Sequence, residues 1–114
     1  RLYCVTNGVA ATQHSRLAGS GLNEYFSGIF VSETIGHQKP SRDYFRAVFN
    51  AIGRFSPEKA MIVGDSLTSD IAGGKNTGID TCWYNPSGKT AEPALTADYE
   101  IHRLDELPPI LEGE

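Results

Sequence analysis

The sequence predicts an α/β fold built on a parallel sheet. Three observations carry this: short apolar runs recur along the 114 residues, each gives way to small or polar residues, and helical patterns lie between them. The runs are Leu2-Tyr3-Cys4-Val5, Gly28-Ile29-Phe30-Val31, Ala60-Met61-Ile62-Val63, Thr81-Cys82-Trp83-Tyr84 and a weaker Tyr99-Glu100-Ile101. Short and rich in Val, Ile and aromatics, they predict strands buried on both faces and joined by right-handed crossovers.

The elements follow in order. The first run ends in Thr6-Asn7-Gly8, and a helix is predicted over about residues 12–20. The second run leads into Ser32 through Lys39-Pro40. Tyr44, Phe45, Val48, Phe49 and Ile52 then form one helical stripe, with Arg42, Arg46 and Asn50 largely facing away; Gly53 stops it. Ser56-Pro57-Glu58 reads as a single capped turn before the third run. Leu67 and Ile71 share a helix face, weakened near its end by Gly73-Gly74 at about 1 kcal/mol each. Arg103 to Leu111 predicts a short terminal helix broken at Pro108-Pro109.

Composition bounds the function. With 39% hydrophobic and 21% charged residues, the chain reads as one small soluble domain, neither disordered nor membrane-spanning. No apolar run nears the roughly 20 residues a membrane helix needs. The formal charge of -4 is uneven: Asp98 to Glu114 holds six acids and one base, which leaves the body near neutral. No basic stripe exists to hold a nucleic-acid polymer. Cys4 and Cys82 each lie in an apolar run, which suits two buried thiols in a reducing cytoplasm rather than a disulfide framework. The chain opens at Arg1 and enters an apolar run directly, as a piece of a longer protein would.

In parallel α/β sheets, ligands bind beyond the carboxyl ends of the strands. That rule selects Thr6-Asn7-Gly8, Ser32 through Lys39, and Gly64-Asp65. Asp65 follows a strand and Asp70 lies in the opening turns of a helix, so both carboxylates can approach one point. Mg²⁺ takes oxygen ligands and keeps several waters, so one or two carboxylates suffice. Asp65 could equally be only a helix cap. Lys39 is either a surface lysine or a fixed cation. Thr6-Asn7-Gly8 is either a plain turn or an anion cradle made of the Thr6 hydroxyl and the amides of Asn7 and Gly8. His14, His37 and His102 show no metal-site spacing, and Trp83 and Tyr84 read as core. Ser66 has no His–Asp partner pattern that would make it a nucleophile.

Taken together, the strand ending Thr6-Asn7, the run Ser32-Glu33-Thr34-Ile35-Gly36-His37-Gln38-Lys39-Pro40, and Val63-Gly64-Asp65-Ser66 with Asp70 resemble the second, third and fourth motifs of the haloacid dehalogenase-like (HAD) hydrolase superfamily. The stretch from Ile71 to Pro86 is similar to the small-phosphatase branch that includes pyrimidine 5′-nucleotidase-like enzymes. A response-regulator receiver also combines acids, a hydroxyl and Lys-Pro, but its acids come first and its lysine last, the reverse of Thr6, Lys39, Asp65. The resemblance implies a Rossmann-like three-layer sandwich and Mg²⁺-dependent hydrolysis of a small phosphorylated metabolite, a nucleotide or sugar phosphate. It implies that Thr6, Asn7 and Gly8 bind the phosphoryl group, Lys39 steadies its charge, Asp65 ligates Mg²⁺, and Asp70 is a second ligand or its support.

One departure bears on mechanism. The family's first motif, Asp-x-Asp, supplies the aspartyl nucleophile, and no Asp-x-Asp occurs in the chain. Residues 1–114 are therefore expected to be the C-terminal portion of one core domain, without its central nucleophile-bearing strand or its substrate-selecting cap, and inactive alone. The strands ending at Val5 and Val63 would then either pair directly or accept another chain, including a second copy, at their open edges. The alternative is a non-catalytic phosphate- or Mg²⁺-binding module. A native mass of about 25 kDa would favour the first reading, and 12.4 kDa the second.

Overall fold

The computed structural model describes residues 1–90 and 93–112. It divides into two compact units, Arg1–Gly53 and Arg54–Glu114. All ladders are parallel, so the predicted class is the observed one.

The first unit opens with β1 (Tyr3–Thr6), which pairs with β2 (Gly28–Val31) in a register running from Tyr3 opposite Gly28 to Thr6 opposite Val31. Between them runs α1 (Ala10–Ser20), ended by Gly21 in the left-handed region. A one-turn helix, α2 (Ser32–Ile35), follows β2 in a segment for which the sequence predicted no element. Next comes α3 (Arg42–Ile52). Its N-cap Ser41 accepts from the Asp43 N–H at 3.1 Å, and Gly53 ends it where the pattern required. The predicted stripe is the buried one: Tyr44, Phe45 and Val48 lie inside, while Arg42, Arg46 and Asn50 are exposed.

The second unit carries β3 (Met61–Gly64), β4 (Asp80–Tyr84) and β5 (Tyr99–Ile101) in that spatial order. Pro57 opens the single 3₁₀ turn before β3, as the sequence predicted. The helix predicted around Leu67 and Ile71 is two pieces: a π turn over Leu67–Ile71, then α4 (Ala72–Thr77). The glycines that weaken it have a packing reason. A Cβ on Gly74 would lie 2.5 Å from Thr81 Cγ2 and 2.6 Å from Ile62 Cγ2, so only glycine lets α4 lie this close to β3 and β4. The C-terminal acids are used locally: Asp98 Oδ2 accepts from the Thr81 N–H at 2.9 Å and from its hydroxyl at 3.1 Å, fastening the approach to β5.

Three expectations need correction. Pro108-Pro109 does not break the terminal helix; both fall in the first turn of α5 (Leu107–Glu112), where N–H groups have no intrahelical acceptor to lose. The strands are not all buried on both faces: β1 is half-buried throughout, and Val63 in β3 is 37% exposed. Each of these two strands carries a ladder on one edge only among the described residues. The five strands lie in two sheets, of two and three strands. The two cysteines are free, but only Cys82 is fully buried; Cys4 is half-buried. Among the described residues no helix is long and apolar enough to cross a membrane.

Candidate functional site

The first unit brings four of the singled-out residues together at the carboxyl end of β1. Thr6 is the last residue of that strand, and Asn7 turns the chain outward. The Asn7 side chain then closes a ring with the main chain of Lys39. Its Oδ1 accepts from the Lys39 N–H at 2.9 Å, and its Nδ2 donates to the Lys39 carbonyl at 3.4 Å. Lys39 Nζ returns to donate to the Val5 carbonyl at 3.2 Å. Residues 32 positions apart are thus locked main chain to side chain, with the ammonium held over the end of β1.

The four do not have equal parts. Gly8 was read as an anion donor, but its N–H donates to Ser32 Oγ at 2.9 Å, and that hydroxyl donates back to the Gly8 carbonyl at 3.3 Å. The donors left to an anion are the Thr6 hydroxyl, now bonded to the Asn7 carbonyl at 3.2 Å, and the Asn7 main chain. Beside this loop lies an open depression of about 320 Å³ lined by Gly8, Ser32, Glu33, Gly36, His37 and Gln38. Glu33 serves structure there, accepting from the Ala10 N–H at the start of α1 at 3.0 Å.

The second unit holds the carboxylates. Asp65 is exposed just beyond β3, and Asp70 is buried in the π turn. The helix cap is not Asp65 but Ser66, whose Oγ accepts from the Ser69 N–H at 3.2 Å. Asp70 Oδ2 accepts from the Ser66 N–H at 3.4 Å, and a Cβ on Gly64 would strike the Asp70 carboxylate. Gly64 therefore lets Asp70 fold back over the end of β3, beside Asp65. Among the described residues no group of three or more His, Cys, Asp or Glu could hold a metal ion. An exposed Asp65 supported by a buried Asp70 suits a cation that takes few protein ligands and keeps its waters, as Mg²⁺ does.

Three positioning residues escaped the sequence. Tyr44 and Trp83 counted as apolar, yet Tyr44 Oη bridges Phe30 and Thr6, and Trp83 Nε1 donates to the Asp65 carbonyl. Ser32 lay in a segment flagged as a whole, and nothing local marks it as the partner of Gly8.

Comparisons with known proteins bear on the family and the fold. The haloacid dehalogenase-like hydrolase family matches residues 1–84. The chain belongs to that family. Among HAD relatives, YfnB of Bacillus subtilis, described as a HAD-hydrolase, is 53% identical over 113 residues, covering 99% of this chain and 48% of that protein. A pyrimidine 5′-nucleotidase, PynA of Streptococcus pneumoniae, is 44% identical over 106 residues, covering 93% of this chain and 45% of that protein. The chain thus spans about half the length of the curated relatives it matches. A crystal structure of YfnB bound to magnesium superposes with a TM-score of 0.94 at 54% identity, over 96% of this chain and 48% of that one. The Rossmann-like HAD fold, in an incomplete form of two and three strands per sheet, is the fold of this chain.

Proposed function

We propose that the whole protein is a Mg²⁺-dependent HAD phosphatase acting on a small phosphorylated metabolite, a nucleotide first among them, and that residues 1–114 are the phosphate- and metal-binding part of its single core domain. The observation that carries this is the Asn7–Lys39 ring, which fixes a hydroxyl, a main-chain turn and a cation at one strand end. Phosphoryl transfer depends mainly on positioning and charge stabilisation. In this reading the Thr6 hydroxyl turns from the Asn7 carbonyl to a phosphoryl oxygen, and the Lys39 ammonium offsets its charge. Asn7 acts through its main chain while its side chain holds Lys39, and Gly8 shapes the loop with Ser32. Asp65 is the carboxylate offered to Mg²⁺, with Asp70 supporting the loop that presents it. The nucleotide preference rests on the likeness to PynA.

No Asp-x-Asp stands in these residues, so the chain alone lacks the family's covalent nucleophile. An assay of the chain with Mg²⁺ and p-nitrophenyl phosphate tests this. The expected result is no turnover; Mg²⁺-dependent turnover that Asp65→Ala abolishes would refute it.

A further inference from the structure

We propose that Tyr44 is a positioning residue for the phosphate loop, acting through its hydroxyl. Tyr44 is wholly buried, yet its oxygen has two long-range partners: it donates to the Phe30 carbonyl at 2.7 Å and accepts from the Thr6 N–H at 3.1 Å. Thr6 and Val31 face each other at the last register position of the β1–β2 ladder, so the hydroxyl ties the carboxyl ends of both strands to α3. Its ring is held in turn by Phe45, edge to face at 5.2 Å.

The position matters because α3 follows directly from Lys39-Pro40. Asn7 is fastened to the Lys39 main chain, and Thr6, its neighbour, is fastened to Tyr44 five residues further on. The two residues of the loop are thereby registered against one short stretch of chain. Loss of one hydroxyl leaves the Thr6 N–H and the Phe30 carbonyl without it and frees the strand end to shift. Displacements of about 1 Å at such sites are costly to ligand affinity and rate. This inference rests on the reading of Thr6 and Asn7 as the phosphoryl cradle.

Tyr44→Phe removes the oxygen and keeps the ring. The control is Val48→Ala on the same helix, which empties buried volume without touching Thr6. Two readouts are taken on the 114-residue chain: affinity for inorganic phosphate with Mg²⁺ present, and hydrogen exchange at the Thr6 amide. Tyr44→Phe is expected to weaken phosphate binding about tenfold and to speed exchange at Thr6 beyond the global change. Val48→Ala is expected to lower the Tm while leaving phosphate affinity within twofold. Equal losses in the two variants, or Thr6 exchange in Tyr44→Phe no faster than in Val48→Ala, would overturn the proposal. Should the unaltered chain bind no phosphate, the cradle reading fails by itself, and the Thr6 exchange rate alone then judges the hydroxyl's hold on the strand end.

Discussion

Trp83 Nε1 donates to the main-chain carbonyl of Asp65 at 3.0 Å. One core side chain of β4 thus holds the main chain of the residue whose carboxylate is proposed to meet Mg²⁺, while Asp65's own side chain stays exposed. Trp83→Phe keeps an aromatic core residue and deletes the donor. Combining one lost hydrogen bond with a smaller ring, stability is expected to fall by about 1–3 kcal/mol. Affinity for Mg²⁺ should fall severalfold while affinity for phosphate alone stays unchanged. Thermal unfolding together with Mg²⁺ titration checks both halves.

Gly74 tests the packing of α4. Alanine is the better helix former by about 1 kcal/mol, so propensity alone predicts that Gly74→Ala stabilises. The contacts with Thr81 Cγ2 and Ile62 Cγ2 predict the reverse, a net loss of about 1–3 kcal/mol as β3 and β4 are pushed away. Urea unfolding decides the sign.

Cys4 reports on the Lys39 ammonium. Burial raises the Cys4 thiol above its ordinary value, and the Lys39 charge pulls it part of the way back. Removing that charge in Lys39→Ala should raise the thiol further, leave less thiolate at a given pH, and slow alkylation of Cys4 by iodoacetamide. Cys82, also raised by burial and fully inaccessible, should resist alkylation until the chain unfolds. Mass spectrometry of the alkylated peptides over time measures each rate.

Glu100 gives an acid-side signature. Hydrogen bonds from His102 at 2.9 Å and Asn85 at 3.0 Å hold its carboxyl below the ordinary value of 4.5. A carboxyl lowered on folding adds stability above its unfolded value, and that contribution fades as pH falls through the folded value. Glu100→Gln should therefore be less stable than the unaltered chain above pH 4.5, and the difference should shrink steadily below it. Tm values for both chains between pH 3 and pH 7 check the direction.

Much of the arrangement was legible because it is written locally. An apolar run that ends in Thr6-Asn7-Gly8 announces both the strand and its polar end, and Lys39-Pro40 before an amphipathic stripe announces α3. What escaped depends on partners far along the chain. Tyr44 lies 38 residues from Thr6 and Trp83 lies 18 from Asp65, so each shows locally only its apolar body, while its single polar atom is what touches the site. Gly8 failed in the opposite way. Its N–H looked available because nothing in the sequence shows that Ser32, 24 residues on, takes it. Pro108-Pro109 misled because proline breaks helix interiors, and the helix begins just one residue before them.

The most direct measurement is a titration of inorganic phosphate, with Mg²⁺ present, into the 114-residue chain, following the amide resonances of Thr6 and Asn7. A saturable shift is expected at both, with an affinity weakened at least about tenfold by Lys39→Ala, which removes a charge-assisted partner. Resonances that do not move, or a Lys39→Ala chain that binds as tightly as the unaltered one, would contradict the cradle reading.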